Sequence, residues 1–470
     1  MANLKNHKNI KPESFRKEET AIIIVPFPAQ GHLNQLLQLS CLISSYGLPV
    51  HYVGSETHNR QAKTRSNGLD PVELAKVHFH DLPTPDFHSP SPDPNSLDKF
   101  PAQLQPSWNA TIFLREPVRD ILLDLSSKSK RIVIIHDILT AAVVQDAASI
   151  PNAEAYILNC VSVFTLFFIR WESMGKPLLV DAEPPKGLPS VLECMTEDHM
   201  KFVASIVGYL NHQVGELHNT SRVLEGIYLD LLAKEEYGGK GKQFAIGPLL
   251  PVKKLSLNSQ DKCLQWLDKQ EPNSVIYVSF GSTTSMSDEE VKELAMGLEE
   301  SKVKFIWVLR DADKGDIFDK EVRKIPLPEK FEERISEFGI IIRDWAPQPE
   351  ILAHSSTGGF MSHCGWNSCI ESISSGVPIA AWPMHSDQPC NALLITEILK
   401  TGLTVREWAR REELLNASSI ANTLKRLMAS QEGEEIRKRA KELGDAVRKS
   451  TDEGGVSRLE MDSFIAHITR

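Results

Sequence analysis

The sequence predicts an α/β protein with two doubly wound parallel sheets that face each other across a cleft. Two observations support this fold class. A strand, a glycine turn, a helix and a second strand follow one another near the start of the chain, and the same succession begins again in its second half. Such strand–helix–strand units run their strands in parallel. The length of 470 residues is sufficient for two or three domains of about 150 residues each.

The first unit lies near the start of the chain. Residues 21–28 are an apolar run rich in β-branched side chains, which indicates a buried strand. The turn at 29–31 leads into a segment with the leucine and isoleucine spacing of a helix. Gly47 ends that helix, and a second strand is predicted at 48–53.

Three further segments complete the first half. A third buried strand is predicted at 131–135, with a helix from about Ala141. The segment at 81–106 is rich in Pro, Asp and Ser and predicts a long surface loop. Residues 155–169 are the most apolar run, but they fall short of the about 20 residues that a bilayer helix needs. We therefore expect them to form a buried helix beneath a pocket.

The pattern restarts after Gly247 and Pro248, and the polar segment at 249–260 predicts a linker. An amphipathic helix is predicted at 287–301, where Ser-Asp-Glu-Glu suits a helix N-terminus. The predicted strands of this half are 274–280, 305–309, 340–343, 357–361 and 378–382. The predicted organisation is an N-terminal domain at 1–248, a second domain at 249–450 and a C-terminal helix at 451–470 that packs back toward the first domain.

Composition and charge exclude several classes of protein. With 52 Lys and Arg against 62 Asp and Glu, the net charge of −10 argues against nucleic acid or an anionic membrane as the main partner. Hydrophobic residues at 41% and charged residues at 24% exclude wholesale disorder. The seven cysteines are unevenly spaced and indicate reduced thiols. Because the first twenty residues hold no apolar run, we expect no secretory signal and a cytoplasmic protein, acting as a monomer.

The most informative stretch is the 44 residues at 345–388. Within it, 362–368 lies where a strand ends and a helix begins. Free backbone N–H groups and the helix dipole make such a junction an anion site. His363, Asn367 and Ser368 add side chains that can donate hydrogen bonds to phosphate oxygens.

Other residues of this stretch suit the remaining parts of a sugar nucleotide. Glu371 lies one helical turn beyond the phosphate donors and can accept hydrogen bonds from a ribose diol. Trp345 offers a flat face for a base. Asp387 and Gln388 follow a strand end and suit sugar hydroxyls.

Residues 345–388 closely resemble the signature box of the plant family 1 UDP-dependent glycosyltransferases. The box has the same length, opens with W-A-P-Q, contains H-C-G-W-N-S and a Glu, and closes with D-Q. The resemblance extends from PFPAQGHLN at 26–34 to the helical tail. It implies the GT-B fold, with two Rossmann-like domains and a nucleotide sugar held mainly by the second.

The resemblance assigns the donor substrate to residues of the second half. They are Trp345 and the backbone of Ala346 for the uracil, Gln348 and Glu371 for the ribose, Ser282, His363, Asn367 and Ser368 for the diphosphate, and Trp366, Asp387 and Gln388 for the sugar. In this family a final Gln goes with glucose, so Gln388 favours UDP-glucose as the donor.

The first half supplies the base. An alcohol is a poor nucleophile at neutral pH, and His32, directly after Gly31 at the mouth of the first strand, has an ordinary pKa of about 6.5 that suits proton removal. Asp137 matches the family's Asp and would hold the second ring nitrogen, although it could instead cap the helix expected near Ala141. The implied reaction is a single in-line displacement that inverts the sugar carbon and needs no metal cofactor.

Other interpretations of the chemistry are less well supported. Asp311 and Asp313 match the Asp-x-Asp pattern of metal-dependent transferases, but their polar surroundings predict a surface loop. Three cysteines and two histidines near the box lack the paired spacing of a zinc site. No G-x-G-x-x-G run supports a dinucleotide oxidoreductase. A fold that binds the nucleotide sugar without catalysis is the third alternative, and the presence of both His32 and Asp137 argues against it.

The acceptor is predicted from a narrower resemblance, to the zeatin O-glucosyltransferase branch of the family. It rests on Gln35, where most members have Pro, and on the segment around Asp137. A cytokinin hydroxyl is therefore the expected acceptor, with a flavonoid or another plant phenol as the alternative and UDP-xylose as the alternative donor. Candidate apolar walls of the acceptor pocket are Phe87, Trp108, Phe164 and Phe168, which could equally pack in the core.

Overall fold

The computed structural model describes residues 18–66, 68–177, 179, 183–234, 241–250, 261–319 and 323–470. It contains two sheets whose strands all pair in parallel. The predicted fold class, α/β with two Rossmann-like doubly wound units, is thereby confirmed. The predicted linker falls almost entirely at 251–260, outside the described residues, and the division of the chain at 248 stays a prediction.

The first sheet has the order β3-β2-β1-β4-β5-β6-β7. Its strands are β1 (Glu18–Val25), β2 (Val50–Ser55), β3 (Val77–Leu82), β4 (Ser129–Asp137), β5 (Ala153–Asn159), β6 (Gly215–His218) and β7 (Lys242–Ala245). The helices of this half are α1 (Gln30–Ser45), α2 (Glu56–Thr64), α3 (Pro71–Leu74), α4 (Gln105–Asn109), α5 (Arg115–Lys128), α6 (Val163–Ser173), α7 (Glu197–Val207) and α8 (Arg222–Leu232).

The second sheet has the order β10-β9-β8-β11-β12-β13. Its strands are β8 (Val275–Ser279), β9 (Lys304–Val308), β10 (Gly339–Ile342), β11 (Thr357–Ser362), β12 (Ile379–Ala381) and β13 (Gly402–Thr404). The helices are α9 (Lys262–Leu267), α10 (Asp288–Ser301), α11 (Phe331–Ile335), α12 (Gln348–Ala353), α13 (Trp366–Ser375), α14 (Gln388–Leu393), α15 (Ala417–Ala429), α16 (Gln431–Thr451) and α17 (Val456–Ile468).

Both sheets reverse their strand order at one point, between β1 and β4 in the first and between β8 and β11 in the second. Ligands of open parallel sheets bind at the carboxyl ends of the strands beside such a reversal. The carboxyl ends of β1 and β4 lead to His32 and end at Asp137, and those of β8 and β11 lead to Gly281 and His363. The topology therefore brings four residues of the sequence motifs to the two expected binding positions.

The last helix of the chain packs against the first sheet. On α17, Met461, Phe464 and Ile468 are buried in the same apolar cluster as residues of the first half. The Phe464 ring makes edge contacts with Tyr156 of β5 and Phe244 of β7, at centroid distances of 5.4 and 5.2 Å. The chain therefore returns to its first half at its end.

Two local predictions were wrong. The apolar run at 155–169 is not one helix, because its first part is strand β5 and only its second part belongs to helix α6. No α-helix starts at Ala141, where the described chain forms short 3₁₀ turns at Ile138–Thr140 and Gln145–Ser149.

The segment at 81–106 is largely the predicted loop, since 83–101 contains neither helix nor strand, and part of it packs against the second half. Lys99 forms an ion pair with Glu290 of α10, at 3.0 Å. The Ser89 hydroxyl accepts a hydrogen bond from the Gly315 N–H. Within the described ranges, no helix combines the length and the apolar character that crossing a bilayer requires.

Candidate active site

A cavity of about 420 Å³ lies between the two halves at the carboxyl ends of both sheets. All but one of the residues predicted for catalysis and for the donor line it. They are His32, Ser282, Trp345, Ala346, Gln348, His363, Trp366, Asn367, Ser368, Glu371, Asp387 and Gln388. Asp137 is the exception, because it is fully buried behind His32. The structure thus brings residues separated by more than 300 positions into one cavity.

His32 and Asp137 form a hydrogen-bonded pair. His32 lies in the first turn of α1, and its Nδ1 is 2.6 Å from Asp137 Oδ2. The other oxygen of Asp137 accepts a hydrogen bond from the Leu139 N–H at 2.9 Å, which caps the 3₁₀ turn after β4. Both roles considered for Asp137, histidine partner and helix cap, therefore exist together, although the turn it caps begins at Ile138.

The pair is arranged to keep a proton on the imidazole and a charge on the carboxylate. Burial acts to lower the pKa of His32, but the charge and the hydrogen bond of Asp137 outweigh it and raise that pKa above 6.5. Burial acts to raise the pKa of Asp137, and His32 reverses this as well, so that the pKa of Asp137 is lowered. Because Nδ1 is paired with the carboxylate, Nε2 is the ring nitrogen that can take up a proton.

Cys160 is a third member of this group that the sequence interpretation missed. Its Sγ, a nitrogen of His32 and a carboxylate oxygen of Asp137 all lie within 4.8 Å of one another, and no other such group of three occurs among the described residues. The close contact between His32 and Asp137 leaves no room for an ion between them. Burial raises the pKa of the Cys160 thiol well above its ordinary value, and the Asp137 charge beside it raises that pKa further, so the thiol stays protonated.

The anion end of the cavity lies at the start of α13. His363 follows β11, and its imidazole fits between Gly281 and Gly365, where an added Cβ would lie 2.5 and 2.6 Å from Nε2. Gly281 also has a positive φ of 74°, which side-chain-bearing residues avoid. Burial lowers the pKa of His363 to about 4, so the ring is neutral at physiological pH. Its Nδ1 has no partner within the described part of the chain.

Asn367 and Ser368, the two other predicted phosphate donors, both have protein partners. The Asn367 Nδ2 donates to the Gly31 carbonyl at 2.8 Å and so joins the start of α13 to the start of α1. The Ser368 hydroxyl accepts from Gln348 Nε2 at 3.1 Å. The second hydrogen of the Asn367 amide is the one left for a phosphate oxygen.

The two residues predicted for the ribose contact each other. Gln348 Nε2 donates to the Glu371 carboxylate at 2.7 Å. Burial raises the pKa of Glu371 to about 7. A pair of hydroxyls that donate to this carboxylate would restore the solvation that burial removes.

Trp345 is covered by arginines that the sequence interpretation missed. The guanidinium carbon of Arg65, from the end of α2, lies 4.3 Å from the centroid of the Trp345 ring, and that of Arg310 lies at 5.5 Å. Arg65 also makes two hydrogen bonds to Asp313, at 2.5 and 2.9 Å. Stacked cations of this kind stabilise the indole position.

The Asp-x-Asp segment is not the surface loop that was predicted. Asp311 and Asp313 are each only 8% exposed. Asp313 pairs with Arg65 and Arg310, and Asp311 accepts a short hydrogen bond from Ser285. Partners from both halves of the chain thus bury these carboxylates, and the distant partner, Arg65, could not be read from the local sequence.

The predicted sugar-binding residues line the same cavity as His32 and His363. Asp387 is partly exposed in the cavity wall, and its Oδ2 accepts from Asn391 Nδ2 at 2.7 Å. Gln388 Oε1 accepts two backbone N–H bonds from its own loop, from Met384 and His385. The Trp366 indole N–H donates to the Asn219 carbonyl at 2.8 Å, which leaves only its ring and backbone for a sugar. Ser282 lines the cavity, and its carbonyl accepts from the Asp313 N–H.

The acceptor end of the cavity is aromatic. Trp108, one of the four predicted walls, lines it together with Phe27, Phe100 and His199. The rings of Phe27 and Trp108 lie 5.4 Å apart, and those of Trp108 and His199 lie 5.2 Å apart. His199 was not predicted, and burial lowers its pKa to about 4.

The three other predicted walls lie elsewhere. Phe164 and Phe168 are fully buried in a core cluster and pack on Tyr228, with centroid distances of 4.9 and 6.1 Å. Phe87 stacks on His58. The cysteines near the box, Cys364, Cys369 and Cys390, lie in the apolar cluster between the halves and form no metal-ligand group with histidines in the described chain.

Comparison with known proteins agrees with this geometry. Residues 18–251 match the model of the family described as glycosyltransferase, N-terminal domain, and 259–435 match that of UDP-glucoronosyl and UDP-glucosyl transferase. The chain is 52% identical over 456 residues to a zeatin O-xylosyltransferase of Phaseolus vulgaris, covering 96% of this chain and 98% of that protein. It is 51% identical over 469 residues to a zeatin O-glucosyltransferase of Phaseolus lunatus, covering 99% of each.

Solved structures agree as well. The chain superposes with a TM-score of 0.77, at 26% identity, on Phytolacca americana UGT2 complexed with UDP-2-fluoro-glucose and pterostilbene, over 96% of this chain and all of that one. The resemblance inferred from the sequence motifs is therefore confirmed.

Proposed function

Because the chain belongs to the family of UDP-dependent glycosyltransferases, we propose that it transfers glucose from UDP-glucose to a hydroxyl of a zeatin-type cytokinin and inverts the sugar carbon. The observation that carries the proposal is one cavity that joins the His32–Asp137 pair to the anion site at the start of α13. A base and a leaving-group site on opposite sides of a sugar are what a single displacement needs.

The proposed base is Nε2 of His32. It removes the proton of the acceptor hydroxyl as the oxygen attacks C1 of the sugar, and the ring becomes an imidazolium. Asp137 holds Nδ1 and stabilises that positive charge, which is why its own ionised form matters. General-base catalysis by a positioned side chain contributes about 10²–10⁴-fold in rate.

The diphosphate leaves toward the start of α13. Free N–H groups of this helix end, the neutral His363 ring and the second hydrogen of the Asn367 amide can all donate to its oxygens. These donors compensate the developing negative charge, and the proposal includes no metal cofactor. Gln348 and Glu371 take the ribose and Trp345 the uracil.

The identity of the donor sugar is less constrained by the site than that of the nucleotide. Asp387 and Gln388 line the cavity that His32 and His363 also line, which supports their assignment to sugar hydroxyls. Of the two relatives that are 52% and 51% identical in sequence to this chain, the first is named as a xylosyltransferase and the second as a glucosyltransferase. UDP-xylose is therefore the second candidate donor, while Gln388 favours glucose.

The acceptor end favours a flat molecule. The rings of Phe27, Phe100, Trp108 and His199 form a wall on which a planar heterocycle can pack. The names of the two relatives support zeatin among such acceptors. A flavonoid or other phenol is the alternative acceptor, because an aromatic wall accepts any flat ring.

Two features support a cytoplasmic monomer. A single chain supplies every residue proposed for the reaction. All seven cysteines lie in the described ranges and are free and buried, as expected in a reducing compartment.

UDP release from the purified protein tests the proposal. UDP-glucose and UDP-xylose are each offered with trans-zeatin, cis-zeatin, flavonoids and simple phenols, in the presence of EDTA, and the product anomer is determined by NMR. We expect a β-glucoside of a zeatin and no loss of rate in EDTA. Turnover with phenols alone would contradict the cytokinin acceptor, and a faster reaction with UDP-xylose would contradict the donor.

A further inference from the structure

Asn391, in the first turns of α14, is a fully buried amide with all of its hydrogen-bonding positions in use. Its Nδ2 donates to Asp387 Oδ2 at 2.7 Å and to the Cys364 carbonyl at 2.9 Å. Its Oδ1 accepts from the hydroxyls of Ser162 at 2.7 Å and Thr165 at 3.1 Å. Two donated and two accepted bonds are the full capacity of an amide used in this way.

The contacts allow only one orientation of this amide. If its oxygen and nitrogen exchanged places, the oxygen would face the Asp387 carboxylate and the Cys364 carbonyl, which are both acceptors. The amide must therefore present its N–H groups to the second half of the chain. Its oxygen faces Ser162 and Thr165, at the start of α6 in the first half.

Asn391 is not one of the residues proposed for the reaction. Asp387 does belong to them, and it is largely enclosed, so that burial raises its pKa and favours a neutral carboxyl. A donated hydrogen bond favours the ionised form instead. The bond also fixes the side-chain torsion of Asp387, because one of its oxygens is held at a defined point.

We propose that Asn391 is a positioning residue for the donor sugar: its Nδ2 holds one oxygen of Asp387, and the second oxygen is thereby aimed at a sugar hydroxyl. This inference rests on the proposed function, in which Asp387 contacts the sugar. It adds that the contact depends on a residue beyond the signature box. It also adds that the Ser162 hydroxyl, from the other half of the chain, holds the positioning amide.

Two variants test the proposal. Asn391→Ala removes both donors, and the hydroxyls of Ser162 and Thr165, whose oxygens lie 2.8 Å apart, are then free to hydrogen-bond to each other. Asn391→Asp keeps the size and the acceptor side but places two carboxylates together. For both variants at pH 8 we expect the dissociation constant of UDP-glucose to rise about tenfold or more, as expected for loss of a hydrogen bond to a charged group. The dissociation constant of UDP, which lacks the sugar, should stay within about twofold of the parent's, on the same reasoning.

The Asp variant has a signature that a purely structural effect lacks. Two adjacent carboxylates share one proton at low pH, and the shared proton restores the donated bond to Asp387. We therefore expect the UDP-glucose affinity of Asn391→Asp, divided by that of the parent at the same pH, to recover as the pH falls from 8 to 5.5. The Ala variant should show no such recovery.

Dividing by the parent's affinity at the same pH cancels the effects of the other titratable groups that act on Asp387. His32 is the titrating group, from α1, and it is present in both proteins. The remaining groups are the thiols of Cys160, Cys194, Cys369 and Cys390, whose pKa values burial raises, so they stay protonated over this range.

Thr165→Val is the matched control. It removes one hydroxyl on the far side of the amide, while Ser162 still donates to Asn391 Oδ1, so UDP-glucose affinity should stay near that of the parent. An equal loss of UDP and UDP-glucose affinity in the Asn391 variants would overturn the proposal, as would a loss in Thr165→Val that matches theirs. Asp387→Ala distinguishes a failure of the sugar assignment from a failure of the positioning role. If it leaves UDP-glucose affinity unchanged, the assignment of Asp387 to the sugar fails, and if only the Asn391 variants are without effect, the positioning role alone fails.

Discussion

Replacing Asp137 by Asn should damage catalysis more than replacing it by Ala. One oxygen of Asp137 accepts from the Leu139 N–H and the other from His32 Nδ1. An Asn has only one acceptor oxygen for these two positions. Its NH₂ group cannot face the Leu139 N–H, because both are donors, so it must face His32. Nδ1 then becomes the acceptor, and Nε2 carries the proton and cannot act as a base.

The structure gives a rough size for each effect. Asp137→Ala removes a charge-assisted hydrogen bond that stabilises the imidazolium, which is worth about 1.5–3 kcal/mol, or roughly a ten- to 150-fold fall in kcat. It leaves the imidazole free to choose its tautomer. Asp137→Asn also fixes the wrong tautomer, and loss of the general base adds a further factor of about 10² or more.

The assay is single-turnover transfer from UDP-glucose at saturating acceptor, with UDP affinity and thermal unfolding measured on the same preparations. UDP affinity should stay unchanged, because Asp137 does not line the cavity. Asp146→Asn is a matched control in the same half, since it weakens the pairing of Asp146 with Arg115 away from the site. If the Asp137→Asn variant is as active as the Asp137→Ala variant, the assignment of His32 Nε2 as the base is refuted.

Three other predictions concern the donor end. Trp345→Ala should weaken UDP and UDP-glucose binding equally, by about tenfold, through loss of base stacking worth about 1–3 kcal/mol, and unchanged titrations would remove Trp345 from the site. Gly281→Ala should abolish UDP binding, because the new Cβ would meet the His363 ring. Gly47→Ala is the matched control, since Gly47 has a similar positive φ and no neighbour within 4 Å of an added Cβ. This control should bind UDP normally and lose only about 1 kcal/mol of unfolding free energy. Glu371 has a pKa of about 7, and ribose hydroxyls would donate to its ionised form. UDP affinity should therefore fall as the pH drops below about 7. A Glu371→Gln variant with the same pH profile as the parent would contradict this.

Motifs that depend on neighbouring residues were predicted well from the sequence. The strand that ends at Ser362 and the helix that starts at Trp366 define the anion site, and the spacing of the box is enough to identify both. Gln348 and Glu371 were both assigned to the ribose through the family resemblance, which stays a prediction, and the structure places them in contact with each other.

Local pattern failed where one composition suits two structures. Residues 155–169 are mostly apolar, and a buried strand and a buried helix cannot be told apart by periodicity in such a run. The boundary falls at Ser162, whose hydroxyl caps α6. A polar residue inside an apolar run was the available signal, and it went unused.

Long-range pairing was predicted only where the family resemblance supplied it, as for His32 and Asp137. Asp313 was assigned to the surface because its neighbours in the sequence are polar, but Arg65 pairs with it from 248 positions away. Asn391 likewise accepts a hydrogen bond from Ser162, in the other half of the chain. A single sequence contains both partners of each pair and no sign that they meet.

The return of α17 to the first half restricts how the cleft can move. The chain crosses from the first half to the second between 250 and 261, and it crosses back at 452–455, because α16 packs on α13 whereas α17 is buried against the first sheet. Because α17 is held on the first half and α16 on the second, any opening of the cleft that admits UDP-glucose must be accommodated at 452–455, and a displacement too large for those four residues would pull Phe464 out of its packing.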